Sequence, residues 1–422
     1  MAKNNSIDVY CFGIEIGKVG LDENENKSFF QYNPTFLSEN KYPNLFPNTG
    51  SIRRVSQTQV FSQYNNDVFK GLPPQIADSL PDMFGNIIFK TWLESSHSDL
   101  KKINALQQLA YIGNRGMGAL EYRPSIDIPS NTSINLQDIT EVLKGVLDNK
   151  NATQATQLNN QGLINIFKIG TSAGGARPKI LISENKQTGE IIPGDIEYSD
   201  AYNHYIVKLD LDEVGYKREM IEYCYYLTAR HIAIRMMPSK PIDNKHFATL
   251  RYDRQNGKKK HTLTATGLTG WSFKDQEVSS YENLFDLALF LKIPHAEIQE
   301  LFKRMVFNVV FSNTDDHLKN HSFAYNEATD KWNMTPAYDL TYSLNPLINY
   351  KRTSRALSIN TKRVDISLAD VLTIADKYTI KNPKGILNEV QSAIVQWEQF
   401  MHDHKIPSNI ITSIKKDFSN LK

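Results

Sequence analysis

Seven apolar residues frame this chain. Ile298, Leu301, Phe302, Met305, Val306, Val309 and Val310 recur at the spacing of one helical face, which predicts a core helix. The polar run Asn313-Thr-Asp-Asp-His-Leu-Lys-Asn320 follows at once. Beyond it, His321 to Tyr325 and Lys331 to Met334 flank the polar turn Asn326-Glu-Ala-Thr-Asp330 and read as a short hairpin. Asp339 comes five residues past the second strand, in Thr335-Pro-Ala-Tyr-Asp-Leu340. Helix, loop, hairpin and a second carboxylate therefore form one consecutive block.

The loop carries chemistry. Asp315 precedes Asn320 by five positions, a spacing suited to phosphoryl transfer. In that chemistry the aspartate orients an attacking hydroxyl, and the asparagine reaches a magnesium ion on nucleotide phosphates. A carboxylate placed like Asp339 would be the main metal ligand. Loop Asp and Asn also form turns by bonding nearby backbone amides, so the spacing alone does not decide the matter.

Composition sets outer bounds. A chain of 422 residues suggests two or three domains, with globular values of 40% hydrophobic and 22% charged residues. A net charge of +2 gives no general pull toward nucleic acid or an anionic membrane. Lys258-Lys-Lys260 and Lys351-Arg352 are local basic runs, the candidates for any direct contact with nucleic acid, with solvated surface charge the favoured reading of both. Two cysteines, Cys11 and Cys224, exclude a disulfide framework and a cysteine zinc site, and suit a reducing cytoplasm. Met1-Ala-Lys-Asn-Asn-Ser6 leads into no apolar run, and no stretch has the length of a membrane span. A soluble cytoplasmic protein without membrane partners is expected.

Four segments are expected: 1–125, a connector over 126–161, 162–275, and a mainly helical 276–422. In the first, Asp8 to Gly17 alternates like one strand, and Lys18 to Asn24 reads as turn and linker. Gly71-Leu-Pro-Pro-Gln-Ile-Ala-Asp-Ser-Leu-Pro-Asp82 leads into a helix with Phe84, Ile87, Ile88 and Trp92. Gly113-Asn-Arg-Gly-Met-Gly-Ala-Leu-Glu-Tyr-Arg-Pro124 lacks the spacing and the following helix of a nucleotide fingerprint, and reads as a structural turn.

The third segment opens with a strand, Leu163 to Ile169. The glycine-rich Gly170-Thr-Ser-Ala-Gly-Gly-Ala-Arg-Pro-Lys179 and a second strand, Ile180 to Ser183, follow. Strand, small-residue loop and strand suit a flap whose backbone N–H groups meet phosphate oxygens. Tyr202 to Leu209 alternates as a strand and ends near Lys208, whose ammonium needs an anionic partner if buried. Lys217 to Arg230 has helical character and offers Glu219 and Glu222. Flap, lysine strand, glutamate helix, Asp-x4-Asn loop and Asp occur in kinase order.

Together these residues resemble the HipA family of serine/threonine kinases, the toxin half of bacterial toxin–antitoxin pairs. The resemblance covers nearly the whole chain, through Gly71 to Asp82, Gly116 to Pro124, Ser172 to Lys179, Lys208, Glu222, Leu250-Arg-Tyr-Asp-Arg254, Asn313 to Asn320 and Tyr338-Asp339. It implies an α+β, protein-kinase-like two-part fold with a β-rich N-terminal subdomain and a mainly helical C-terminal domain. By that likeness Asp315 would be the catalytic aspartate, with Lys319 facing the γ-phosphate. Asn320 and Asp339 would be magnesium ligands. Ser172, Ala173, Gly174, Gly175, Ala176, Lys179, Lys208, Glu222 and His317 would serve the nucleotide. Ser172 would also be an autophosphorylated, self-inhibiting serine. Asp316 is the rival base but lies four residues from Asn320, not five. Arg251, Asp253 and Arg254 read as structural or as positioning the loop.

The resemblance further implies ATP and Mg2+ as cofactors, a HipB-like helix-turn-helix antitoxin, and operator DNA bound mainly through that antitoxin. It implies a translation-related protein substrate, such as an aminoacyl-tRNA synthetase, whose phosphorylation arrests growth. The flap departs from some relatives, reading Ala176-Arg-Pro-Lys179 where they carry Gln-Glu before the lysine. Two alternatives stand beside this reading: a small-molecule phosphotransferase, and a non-catalytic kinase-like scaffold that binds an antitoxin–DNA complex.

Overall fold

The computed structural model describes residues 5–25, 27–49, 51–95, 103–125, 136–148, 177–194, 199–211, 215–348 and 354–421. Helix and sheet are mixed along the chain, the α+β class expected from sequence. Two compact units are present, Met1–Leu211 with Ala248–Leu263, and Asp212–Phe247 with Thr264–Lys422.

The first unit begins with a departure from expectation. Ser6–Cys11 and Ile14–Asp22 are two antiparallel strands, not one strand and a linker. Phe12 and Gly13 both take positive φ, 51° and 76°, which makes a two-residue turn whose twist matches a hairpin. Lys18 to Asp22 of the apparent linker are the rest of the second strand, with Lys18 exposed and Val19 fully buried, and Glu23 and Asn24 lie in the turn that follows. A five-stranded sheet results, in the order Gln59–Phe61, Lys27–Tyr32, Ile14–Asp22, Ser6–Cys11, Leu120–Arg123. Val9, Ile16, Val19, Phe30 and Tyr122 form its dry core. Helix Ala105–Ile112 packs near the last strand and starts with a reciprocal cap between Asn104 and Gln107.

The glycine-rich stretch after that helix is a turn, as the sequence suggests. Gly118 sits at φ 75°, where a side chain would be strained, and a Cβ there would lie 3.0 Å from the Thr262 carbonyl oxygen. Its N–H donates to Asp253 Oδ2 at 2.8 Å. Arg254 donates to the carbonyls of Gly118 (2.9 Å) and Gly116 (2.7 Å). Arg251 grips both Asp253 oxygens, at 3.0 and 2.9 Å. Burial alone would push the Asp253 carboxyl up, but Arg251 and Arg254 outweigh it and hold the group below the usual carboxylate range. These three residues therefore fix the glycine turn.

A second antiparallel set in this unit joins Ile191–Pro193, Lys179–Asn185 and Tyr202–Lys208. Buried Ser183 and His204 bond across it at 2.7 Å.

The second unit is mainly helical. Helix Pro383–Asp403 packs on Arg218–His231 and on His295–Val310. Trp397 is fully buried there, in edge contact with Tyr225 and Phe418. Helix Leu368–Lys377 begins with a Ser367–Asp370 capping box. Among the described residues no helix is long and apolar enough to cross a membrane. Both cysteines are buried and neither forms a disulfide, and burial pushes the Cys224 thiol up to about 12.

Candidate active site

Helix His295–Val310 carries the predicted stripe and ends where Ser312 turns to φ 54° and the Asn313 N–H closes back on the Asn308 carbonyl at 3.0 Å. That stop throws the chain into the loop. Leu318 is fully buried and pins a three-residue 3-10 turn, Leu318–Asn320. The hairpin Ser322–Asn326 and Lys331–Met334 then returns the chain toward Asp339, as the sequence predicts.

The adjacent aspartates have opposite environments. The Asp315 side chain is 72% exposed, with His317 Nε2 4.0 Å from Oδ1. Asp316 is buried and accepts from the Tyr281 hydroxyl (2.7 Å), from Arg355 Nη2 (2.5 Å) and from the Leu357 N–H (3.4 Å). Its carboxylate is engaged on both oxygens, whereas Asp315 faces solvent where a hydroxyl can approach. Asn308, buried near the end of helix His295–Val310, donates to the same Tyr281 oxygen at 2.9 Å. Burial raises the Tyr281 phenol well above its ordinary value, so it remains a neutral donor. His321 also lies in this buried wall, and burial lowers it to about 4.

Asn320 donates from Nδ2 to the Asp315 carbonyl at 2.8 Å, which leaves Oδ1 as the atom suited to a cation. Asp339 takes φ 53°, and its carbonyl accepts from Asn313 Nδ2 at 3.2 Å. Asn313 is itself held by Asn308 Oδ1 at 3.0 Å. An amide oxygen and a carboxylate are hard donors of the type magnesium takes, with phosphate oxygens and water filling the remaining positions. The residues present thus fit Mg2+. Among the described residues no cluster of three His, Cys, Asp or Glu side chains could hold a metal by itself.

His317 and Lys319 share an aromatic neighbour. The Phe273 ring centroid lies 5.0 Å from the His317 ring and 5.7 Å from Lys319 Nζ. A cation at that distance from a ring face is attracted to it. Sequence reasoning missed Phe273, Tyr281 and Arg355. The last two lie 35 and 39 positions from Asp316, so no local pattern could have linked them to it.

In the first unit, Lys179 and Lys208 are directly opposed across paired strands, and both are buried. Glu222 is buried on helix Arg218–His231 of the second unit. The flap residues Ser172, Ala173, Gly174, Gly175 and Ala176, and the strand expected at Leu163 to Ile169, lie outside the described residues.

A family model for the HipA N-terminal domain matches residues 7–123, and one for the HipA-like C-terminal domain matches residues 171–398, more than half of the 422-residue chain. Among solved structures, the chain is similar to one from the Shewanella oneidensis MR-1 toxin–antitoxin system, a complex of HipA, HipB and its operator DNA. The TM-score is 0.65 and the identity 16%, over 97% of this chain and 95% of that one. At that identity the likeness speaks for the fold. A weaker likeness, to the Helicobacter pylori proinflammatory kinase CtkA, has a TM-score of 0.34 and 12% identity, over 51% of this chain and 91% of that one. No curated protein sequence matches the chain. The two domain models, in the order and at the places where the sequence features fall, show that the chain belongs to the HipA family.

Proposed function

We propose that this protein is an ATP- and Mg2+-dependent serine/threonine protein kinase and the toxin of a toxin–antitoxin pair. One observation carries the reading. An exposed Asp315 shares a braced frame with Asn320, tied to its carbonyl, and with Asp339, tied through Asn313 to the same helix end.

In this reading Asp315 accepts a hydrogen bond from the substrate hydroxyl and orients its oxygen on the γ-phosphorus. A bond forms from that oxygen to phosphorus, the bond to the ADP oxygen breaks, and the hydroxyl proton passes to Asp315. Lys179 and Lys208 bind phosphates of the nucleotide, with the backbone of Ser172 to Ala176 as the flap. Glu222 and His317 support the nucleotide, and Lys319 offsets charge on the transferred group. Mg2+, when bound by Asn320 and Asp339, would neutralise charge on the phosphate oxygens. Because little covalent work falls to the protein, positioning and electrostatics supply the rate.

Family membership supports a helix-turn-helix antitoxin as partner, and the Shewanella assembly with HipB and operator DNA supports DNA contact through it. We assign a translation-related protein as substrate, and Ser172 as the self-inhibiting phosphorylation site, from the same family likeness.

The experiment is autophosphorylation with labelled ATP and Mg2+, followed by mass spectrometry, on wild type, Asp315→Asn and Ser172→Ala. Label that disappears in Asp315→Asn is the expected result, and its loss in Ser172→Ala would locate the site. No label and no Mg2+-dependent ATP binding would leave a scaffold that only docks its antitoxin.

A further inference from the structure

Tyr338 stands directly before Asp339, and its hydroxyl reaches out of that segment. It donates to the Lys319 carbonyl at 2.8 Å and pairs with the Ser322 hydroxyl. Lys319 immediately precedes Asn320, and Ser322 follows it by two positions. At the start of the loop, Asn313 Nδ2 holds the Asp339 carbonyl. The loop and the Asp339 segment are therefore joined twice, once at each end of the loop.

Both joined elements need outside support. The turn Leu318–Asn320 is three residues long, closed by the Asn320 N–H on the His317 carbonyl at 2.8 Å and by the His321 N–H on the Leu318 carbonyl at 3.4 Å. So short a 3-10 turn does not hold its own geometry well. Asp339, at φ 53°, occupies a region that side-chain-bearing residues rarely adopt and that surrounding contacts must maintain.

We propose that Tyr338 is a positioning residue that fixes the spacing between Asn320 and Asp339, and thereby sets how tightly that pair takes Mg2+ on a nucleotide. This rests on the kinase reading above. Magnesium demands near-octahedral oxygens at about 2.0–2.1 Å. Ligands on two separate elements serve it well only if their separation is already right. A phenol suits this task, because a rigid ring carries the hydroxyl from one backbone to the other with little torsional freedom. Loss of that single oxygen leaves the ring and its packing in place.

The test is calorimetric titration of the full chain with a non-hydrolysable ATP analogue across a series of Mg2+ concentrations. Wild type, Tyr338→Phe and Ser322→Ala are compared. Tyr338→Phe should raise the Mg2+ concentration for half-maximal nucleotide affinity roughly three- to tenfold, the effect of one net hydrogen bond. Its nucleotide affinity without Mg2+ should match wild type. Ser322→Ala keeps the bond to Lys319 and should stay within about twofold of wild type, less than one net hydrogen bond represents. Amide hydrogen exchange at Leu318 to His321 should quicken in Tyr338→Phe alone, a readout that holds even if the variant melts earlier. Equal Mg2+ dependence in Tyr338→Phe and wild type, with unchanged exchange, would reduce Tyr338 to a packing residue and overturn the inference. A wild type that binds the analogue without any Mg2+ dependence would sink the kinase reading itself, and this one with it.

Discussion

Asp316 and Arg355 form an ion pair of 2.5 Å across 39 positions of sequence, directly behind a loop whose next aspartate, Asp315, is open to solvent. Neighbouring carboxylates thus have separate duties. One holds the loop in place, and the other is available for chemistry.

This division predicts opposite outcomes for two substitutions. Asp316→Ala leaves Arg355 as a buried, uncompensated charge and should destabilise the fold by about 3–5 kcal/mol in urea unfolding. Asp315→Asn removes no packing and should leave stability within about 0.5 kcal/mol of wild type. Its phosphoryl transfer should fall by roughly 10²–10⁴-fold. A stable Asp316→Ala protein would contradict the assignment.

Acid should act in two stages. Burial lowers His321 from 6.5 to about 4, so the unfolded chain takes up its proton first. The stability this residue contributes is complete above pH 6.5 and falls as pH drops toward about 4, with a slope of at most about 1.4 kcal/mol per pH unit. His204, also lowered to about 4 by burial and then by Arg251 and Arg254, acts in the same window. The second stage belongs to Asp253. Its folded value is depressed below 3.8, so its contribution is complete above the ordinary carboxylate range and is lost as pH falls beneath it. Thermal melts between pH 7 and 3 should show both limbs. Asp253→Asn should flatten the lower one, and His321→Gln should shallow the upper one.

Lys208 should matter to nucleotide binding. With saturating Mg2+ and ATP, wild type should gain stability on heating in proportion to the logarithm of ligand concentration. Lys208→Met should lose at least the roughly 1.4 kcal/mol that a tenfold loss of affinity represents. An undiminished shift in Lys208→Met would remove this residue from the phosphate site.

The cap of helix Leu368–Lys377 offers a control outside the loop. Ser367 Oγ receives the Asp370 N–H, and Asp370 in turn receives the Ser367 N–H. Ser367→Ala should cost about 1 kcal/mol in urea unfolding, with phosphoryl transfer unchanged. A loss of activity there would mean that the helix communicates with the loop.

Much of the architecture was legible because it is local. The stripe from Ile298 to Val310 and the hairpin around Asn326 to Asp330 each declare themselves within a few residues. The opening hairpin did not. Phe12 is a bulky residue at positive φ, so the Phe12–Gly13 turn lacks the Asn-Gly or Asp-Gly pair by which such turns are usually read. Around the loop, Asp315, Asn320 and Asp339 stood out by spacing, whereas what holds them did not. Tyr281, Arg355 and Tyr338 act through contacts between distant segments, and Asn308 takes its meaning only from its Tyr281 partner, 27 positions away.

The two buried cysteines have a practical consequence. Cys11 and Cys224 are shielded, and a thiol pushed up to about 12, as at Cys224, yields almost no thiolate at neutral pH. Maleimide dyes should therefore leave the native chain unlabelled while it stays folded. A single cysteine introduced at exposed Leu347, a few residues beyond Asp339, would become the dominant reactive thiol. The protein is in effect ready-made for site-specific fluorescence, so the segment that follows Asp339 can be watched in solution without first stripping native cysteines.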